Sequence, residues 1–304
     1  MIKLFRLLGK FLLGLLVLAL ALVLFVAISL KIQNVTNGEI VSSGQVRKFL
    51  VYIPPSYDPA RPAPLVISIH GYAEWPAHQR DQSGWNELAD EHGFIMVYPA
   101  GTGFPARWRM TGEKSADVVF ISDLIDHLQG VYNIDPAHIY ANGLSNGGGM
   151  SYVLGCRLSE RIAAIGSVSG AYLFPLEECN PARPVPMLAL HGTVDPIVPY
   201  EGGYSNYFKV TFPDVPAWIG RRAAKNACAD TPEALPSNGS ISGVRYTGCT
   251  EDAEVVFYTI AGGGHSWPGG PGLPEWIAGT TSQEIDATAV LWEFFERHTL
   301  RPSP

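Results

Sequence analysis

The sequence contains few charged residues and lacks the features of several protein classes. Only 16% of its 304 residues are charged, and 21 Lys and Arg stand against 28 Asp and Glu, a net charge of −7. Nucleic-acid binding requires a concentrated basic face, so we expect no nucleic-acid partner. There is no run of like charges, no low-complexity tract and no internal repeat. With 47% hydrophobic positions, the chain has enough apolar residues for one large core.

Cysteine is also scarce. None of the four cysteines has metal-ligand spacing and no C-x-x-C occurs, so we expect no zinc site. In an exported chain these cysteines would be oxidised, and three pairings are then possible. Their order suggests two local loops of about 20 residues each, Cys156–Cys179 and Cys228–Cys249. In a cytosolic protein, four buried thiols would be the better interpretation.

The first 31 residues differ from the rest of the chain. Three cations precede an uncharged apolar run from Phe11 to Leu30, which is about 20 residues and long enough to span a bilayer. The cations would stay in the cytoplasm. We therefore predict a signal-anchor helix at 1–31 and a single domain at 32–304 on the periplasmic or extracellular side. A signal peptide cleaved near Ala27–Ser29 is the alternative, and it also exports the domain.

Apolar runs separated by Gly- and Pro-rich loops predict alternating strands and helices. The predicted strands are Val46–Ile53, Pro64–His70, Phe94–Tyr98, His138–Ala141, Ile162–Val168, Pro186–His191 and Val255–Ile260. The predicted helices are Trp85–Glu91, Asp117–Tyr132, Met150–Leu154 and Ile285–His298. This alternation favours an α/β fold with a mostly parallel central sheet flanked by helices. Such sheets bind ligands at the carboxyl ends of their strands, so functional residues are expected directly after strands.

A G-x-S-x-G pentapeptide, Gly143 to Gly147, follows one predicted strand directly. The pattern is weak by itself in a chain with 32 glycines, but here it lies between an apolar strand and a helical segment. That context is typical of a sharp turn that exposes a nucleophilic serine, here Ser145. The backbone N–H of Asn146, at the helix N-terminus, would point at a developing oxyanion. A plain Gly-rich turn is the alternative.

Two further candidates also follow strands. Asp195 comes after strand Pro186–His191, where a carboxylate can orient an imidazole. His265 lies in a Gly-rich loop before the last helix, from which its ring could reach the serine as a general base. A turn-forming Asp and an exposed loop His are the alternatives. The order Ser, Asp, His is that of α/β-hydrolases, so we predict a triad of Ser145, Asp195 and His265.

The segment His70-Gly71-Tyr72 follows an earlier strand, where these hydrolases place a second oxyanion donor. We predict that the backbone N–H of Tyr72 has this role together with that of Asn146; a tight turn without it is the alternative. Trp108 and Trp267 stand beside the proposed site in the sequence. Aromatic side chains suit an acyl or aryl group, so both are predicted to contact substrate, although most tryptophans lie in the core.

Five segments together resemble the exported polyhydroxybutyrate depolymerase and feruloyl esterase-like family. They are HGYAEWP, VYPAGTG with Trp108, GLSNGGGMSYVLGC, HGTVDPIVPY and GGGHSWPGG, and the cysteine segments NACAD and YTGCTED fit it too. The resemblance extends from about Val46 to the C-terminal helix. It implies the α/β-hydrolase fold and a serine esterase without a cofactor, using the predicted triad with an oxyanion hole near Tyr72 and Asn146.

Two departures from the family pattern shape the expected substrate. Tyr72 stands where many relatives have Cys or another small residue, so the acyl pocket is expected to differ. No polymer-binding domain follows the last predicted helix, so we expect hydrolysis of small or oligomeric esters rather than solid polyester. Hydroxycinnamoyl, acetyl and hydroxyalkanoate esters are the candidates, and the membrane is a further partner if the helix is uncleaved. A prolyl-oligopeptidase-like serine peptidase and a non-catalytic membrane-tethered binding module are the alternatives.

Overall fold

The computed structural model describes residues 10–23, 35–110, 115–206 and 208–300. The chain divides into two units, Met1–Val35 and Thr36–Pro304. Residues 10–23 of the first unit form helix α1. Within the part of the chain that is described, no helix has both the length and the apolar character needed to cross a membrane. The rest of the predicted signal-anchor helix, before and after α1, lies outside the described residues.

The second unit contains a sheet of ten strands and a separate hairpin. The strands are β1 (Gly38–Ser42), β2 (Gln45–Tyr52), β3 (Ala63–Ile69), β4 (Ile95–Pro99), β5 (Ile134–Gly143), β6 (Ala164–Val168), β7 (Met187–Gly192), β8 (Gly203–Ser205), β9 (Val210–Phe212), β10 (Glu233–Asn238), β11 (Ile241–Tyr246) and β12 (Val255–Ile260). The helices of this unit are α2 (Pro76–Ser83), α3 (Trp85–His92), α4 (Ala116–Val131), α5 (Asn146–Arg157), α6 (Val215–Lys225), α7 (Glu275–Ala278) and α8 (Ala287–Phe295).

The middle of the sheet is parallel and its edges are antiparallel. The strand order is β1-β2-β4-β3-β5-β6-β7-β12-β11-β10, while β8 and β9 pair only with each other. The pairs from β4 to β12 are all parallel. Strands β1 and β2 continue one edge and β11 and β10 the other, each in antiparallel pairing. The carboxyl ends of six central strands therefore meet at one edge of the sheet.

Both faces of the sheet are covered by hydrophobic clusters, and strand β3 contributes to each. Its Leu65, Ile67 and Ile69 pack in a cluster with apolar residues of α4, α5 and α6. Val66, which points to the opposite face, packs with residues of α3 and α8. A strand covered on both faces must be apolar at almost every position, which explains the continuous run that predicts it. The predicted α/β-hydrolase fold is confirmed.

Several elements were not predicted from the sequence. The short helix α2 has few apolar residues, and edge strand β10 is mostly exposed, so neither has a hydrophobic period. Strands β8 and β9 have three residues each. The predicted C-terminal helix Ile285–His298 is shorter in the structure, since α8 begins after Asp286, whose carboxylate accepts from the N–H groups of Thr288 and Ala289.

Both local disulfides are confirmed. Cys156 is bonded to Cys179 and Cys228 to Cys249, with S–S distances of 1.98 and 2.05 Å. The first joins the end of α5 to the loop after β6, and the second joins the loop after α6 to the loop after β11. Disulfides persist in oxidising compartments, so their presence fits a protein that acts outside the cytoplasm.

Candidate active site

Ser145 lies on a strained turn between β5 and α5. Its φ of 57° and ψ of −117° are rare for a residue with a side chain. The turn is held by backbone hydrogen bonds: Ser145 N–H donates to Val168 O, and Ser145 O accepts from the N–H groups of Gly149 and Ala171, each at 2.9 Å. Strain of this kind persists only where the surroundings enforce it, and it is common at functional sites.

The two glycines of the pentapeptide are required by the close approach of strand β3. A Cβ atom at Gly143 would lie 2.5 Å from the carbonyl oxygen of Ile69, and one at Gly147 would lie 2.0 Å from the same oxygen. Both distances are well inside van der Waals contact, and the obstacle is backbone that pairs with its neighbours. The G-x-S-x-G pattern therefore places Ser145 against the carboxyl end of β3.

Asp195 and His265 are joined by a short hydrogen bond. His265 Nδ1 donates to Asp195 Oδ2 at 2.7 Å, and both side chains are buried. Asp195 Oδ1 accepts from the N–H groups of Ile197 and Val198, each at 2.8 Å. Because a carboxylate only accepts, the proton of neutral His265 lies on Nδ1 and leaves Nε2 free to act as a base.

A second histidine contacts the same carboxylate. His191 is 1% exposed, and its Nε2 lies 2.9 Å from Val198 O and 3.3 Å from Asp195 Oδ2. Both oxygens are acceptors, so Nε2 carries the proton. Burial alone would raise the pKa of Asp195, but the charge of His265 and the hydrogen bonds from His191 and His265 outweigh it and hold this pKa well below its usual range. The role of His191 had no signal in the sequence beyond its place at a strand end.

The three predicted triad residues follow β5, β7 and β12, and so lie at the same edge of the sheet. The hydrogen bonds of the described residues include the Asp195–His265 bond but none between Ser145 Oγ and His265 Nε2. Such catalytic hydrogen bonds are often long until a substrate is bound. The positions agree with the predicted triad, and the roles of its members stay a prediction.

The peptide unit that carries the predicted Tyr72 donor is held through its carbonyl, and the peptide unit before it through its N–H. Buried His70 accepts the Gly101 N–H at Nε2 (2.9 Å) and donates from Nδ1 to Gly71 O (2.7 Å); burial lowers the pKa of His70. Gly71 N–H donates to Glu74 Oε2 at 2.7 Å. Because C=O and N–H point in opposite directions in a trans peptide, the bond to Gly71 O also fixes the direction of Tyr72 N–H. This rigidity suits a preorganised donor.

Asn146, the other predicted donor, is the first residue of α5, so its N–H has no carbonyl one turn earlier to bond. Its side chain has a role that the sequence analysis missed. Oδ1 accepts from Trp108 N–H at 2.7 Å and Nδ2 donates to Trp108 O at 3.2 Å. Trp108 Nε1 in turn donates to His70 O at 3.0 Å. The loop before α4 is thereby held against Asn146 and against the segment that precedes Tyr72.

A cleft of about 350 Å³ opens at Ser145, and its walls are mainly apolar. Tyr72 and Trp108 line it as predicted neighbours of the serine, and the hairpin of β8 and β9 supplies part of the wall. The Tyr72 ring meets Phe208 edge-on at 5.3 Å between centroids. The remaining lining residues are Arg107, Arg109, Met110, Asn146, Ala171, Leu173, Val210 and Phe212.

Trp267 is not among the residues that line this cleft. It is 1% exposed, packs in the core beside α8, and donates from Nε1 to Thr288 Oγ1 at 2.9 Å. The prediction that Trp267 contacts substrate is therefore not supported, because its ring fills the core and its only donor is used there. Trp108 lines the cleft but is 2% exposed, so it offers little surface to a ligand.

No metal site accompanies the triad residues. Within the described ranges, no three His, Cys, Asp or Glu side chains are grouped so that they could hold a metal ion. At this edge of the sheet stand a serine hydroxyl, an imidazole hydrogen-bonded to a carboxylate, and the N–H groups at the start of α5. These are the components of acyl transfer.

Replacement of Asp195 by asparagine should make the melting temperature depend less steeply on pH below about pH 4. The pKa of Asp195 is lower in the folded protein than its ordinary value of 3.8. The ionised group therefore stabilises the fold above about pH 4, and this contribution is lost as the pH falls through the lower, folded pKa. Asp195→Asn removes the titration, so below pH 4 wild type should lose melting temperature more steeply than the variant.

The matched control is Asp230→Asn, at an exposed position, which should follow the wild-type curve. Thermal unfolding between pH 2 and pH 7 measures all three proteins. If the melting temperatures of wild type and Asp195→Asn fell equally with pH, folding would not lower the pKa of Asp195.

The chain is similar in sequence to known esterases. The family described as "Esterase PHB depolymerase" matches residues 47–196, a range that includes Ser145 and Asp195. The chain is 30% identical over 289 residues to NocK of Nocardia uniformis subsp. tsuyamanensis, named as an esterase, covering 85% of this chain and 82% of that protein. It is 29% identical over 270 residues to feruloyl esterase C of Emericella nidulans, covering 87% and 88%.

Among solved structures, acetyl xylan esterase from Aspergillus awamori has a TM-score of 0.60 at 15% sequence identity, covering 87% of this chain and 98% of that chain. At this identity the likeness shows the fold, which is that of the α/β-hydrolases. The extent of the match to NocK shows the family. The chain therefore belongs to the polyhydroxybutyrate depolymerase family of esterases within the α/β-hydrolases, and it is a carboxylic ester hydrolase.

Proposed function

We propose that this protein hydrolyses small or oligomeric carboxylic esters through an acyl-enzyme formed on Ser145, with His265 as the base and Asp195 as its orienting partner. The observation that carries the proposal is the strained turn of Ser145 at an apolar cleft, on the sheet edge that also bears the hydrogen-bonded Asp195–His265 pair. Each component matches a requirement of acyl transfer.

In the proposed reaction, Ser145 Oγ attacks the ester carbonyl and its proton passes to His265 Nε2. The carbonyl oxygen becomes an oxyanion, which accepts hydrogen bonds from the backbone N–H groups of Tyr72 and Asn146. Collapse of the tetrahedral intermediate breaks the bond to the alcohol, which leaves with the proton from His265. Water then attacks the acyl-enzyme by the same route and releases the acid. Asp195 stabilises the imidazolium in both halves of the reaction.

The cleft supports an ester with an apolar or aromatic part. Phe208, Val210, Phe212 and Leu173 form much of its wall, and about 350 Å³ accommodates a group of moderate size. Hydroxycinnamoyl, acetyl and hydroxyalkanoate esters are the proposed candidates, and one relative is named a feruloyl esterase. The two disulfides support action outside the cytoplasm.

A panel of substrates tests the proposal. We expect kcat/KM to be higher by several orders of magnitude for p-nitrophenyl acetate, methyl ferulate or hydroxybutyrate oligomers than for peptide p-nitroanilides. His265→Gln, which keeps a polar side chain of similar size, should lose nearly all of the ester activity. Preferential cleavage of the anilides would indicate a peptidase instead, and full activity in His265→Gln would reject the proposed base.

A further inference from the structure

The charged residues that line the Ser145 cleft are all positive. They are Arg107 and Arg109, and no Asp or Glu is among the lining residues. The chain as a whole has a net charge of −7, so the charge at the cleft is opposite in sign to that of the whole protein. We infer that the cleft binds an ester carrying a carboxylate, whose charge is recognised by Arg107 and Arg109; this inference rests on the proposed ester hydrolysis at Ser145.

Neither guanidinium is engaged by an acid within the described part of the chain. Both arginines are exposed, and the ion pairs of the described residues involve neither of them. Other exposed arginines differ: Arg61 pairs with Asp58 at 3.1 Å and Arg297 with Glu254 at 3.4 Å. Among the described residues, the guanidinium groups of Arg107 and Arg109 therefore remain available to an anionic ligand.

Asp117 is the acid that contacts this loop, and its charge is already compensated. Its Oδ1 lies 2.7 Å from the Arg47 guanidinium, in a pair that is almost completely buried. Its Oδ2 accepts the backbone N–H of Arg109 at 2.8 Å. The contact therefore holds the main chain of Arg109 and leaves its side chain available. Arg47 is a buried structural partner and has no access to the cleft.

The backbone that carries the two arginines is fixed relative to Ser145. Trp108, between them, is held through its N–H and C=O by the side chain of Asn146. Arg107 also exchanges two backbone hydrogen bonds with Thr102, at 3.0 and 3.2 Å. Exposure alternates along this segment, with Arg107 and Arg109 exposed and Trp108 buried between them, so both arginines lie on its accessible side.

Two guanidinium groups on a fixed main chain suit a carboxylate. The planar guanidinium donates two parallel N–H bonds to the two carboxylate oxygens, a geometry that lysine does not provide. The apolar wall would contact the hydrocarbon part of the same ligand. The substrate class that fits is therefore an acidic ester, such as the monoester of a dicarboxylic acid or the ester of a hydroxy acid with a free carboxyl group.

Two pairs of esters test the inference, because the carboxylate can belong to the acyl or the alcohol part. Mono-p-nitrophenyl adipate and p-nitrophenyl hexanoate differ in the acyl part; 4-acetoxybenzoate and phenyl acetate differ in the alcohol part. In Arg107→Gln/Arg109→Gln, the ratio of kcat/KM for the acidic ester to that for its neutral partner should fall about 10- to 100-fold in at least one pair, as expected for loss of charge-assisted hydrogen bonds.

Arg61→Gln is the matched control, since Arg61 is an exposed arginine paired with an acid elsewhere, and its ratios should equal those of wild type. Arg107→Lys/Arg109→Lys should retain part of the preference. Ratios that are unchanged in the glutamine variant, or that change equally in Arg61→Gln, would overturn the inference. Wild type that hydrolyses none of the four esters would instead reject the proposed function, so the two failures are distinguishable.

Discussion

Ser145→Ala is expected to lower kcat for ester hydrolysis by roughly 10⁶-fold, the loss typical when the nucleophile of a serine hydrolase is removed. The loss is expected to come from the missing hydroxyl and not from a change of structure. Alanine keeps the Cβ, so the strained turn with φ 57° should be retained. The backbone donors and the cleft would remain, which is why a small residual rate above that of water is expected.

Hydrolysis of p-nitrophenyl acetate and covalent labelling with a fluorophosphonate measure this loss. Ser56→Ala, at an exposed serine outside the site, is the control, and it should react like wild type. Circular dichroism and the melting temperature would show that Ser145→Ala is folded. Labelling that persists in a folded Ser145→Ala protein would mean that another residue is the nucleophile.

Gly147→Ala is expected to destabilise the fold by more than about 4 kcal/mol, a loss as large as those that severe steric conflicts cause. The added Cβ would lie 2.0 Å from the carbonyl oxygen of Ile69, at the end of strand β3. That strand pairs with β4 on one side and β5 on the other, so it cannot move without disturbing the centre of the sheet. Poor yield of folded protein would be the first sign.

The matched control is Gly130→Ala in α4. Both glycines lie in helices, and helix propensity alone favours alanine at both by about 0.5–1 kcal/mol. A Cβ at Gly130 has no atom within 4 Å, so this variant should be slightly more stable than wild type. Urea unfolding compares the three proteins. Stabilisation by both substitutions would show that β3 does not constrain the turn.

The sequence was most informative where burial restricts it. Strand β3 is apolar because both of its faces are covered, and the pentapeptide around Ser145 contains two glycines because β3 leaves no space for side chains. The local order of the cysteines led to the pairing that the structure has. In each case one physical requirement constrains a short, continuous stretch of sequence. Its effect can therefore be recognised from the sequence without knowledge of the fold.

The walls of the cleft were much less predictable. Trp108 and Trp267 both stand beside a motif, yet only Trp108 lines the cleft, because the direction of each ring depends on helices distant in sequence. Phe208 follows a strand of three residues, too short for a recognisable alternation. His191 reaches Asp195 only because the turn after β7 folds back on it. Contacts of this kind arise from tertiary packing and leave no local pattern.

The parts of the chain that surround the Ser145 cleft are almost all outside the ten-stranded sheet. The loop of Trp108, the β8–β9 hairpin and the segment that follows β6 supply most of the wall. The turn that carries Ser145, in contrast, lies against β3 at Gly143 and Gly147, where there is no space for a side chain. Side-chain substitutions in these loops that keep the backbone hydrogen bonds to Ser145 and Asn146 can therefore accumulate with little effect on the nucleophile. The architecture makes the protein evolvable in its choice of substrate, and it marks these loops as the place for directed evolution of new esterase specificities.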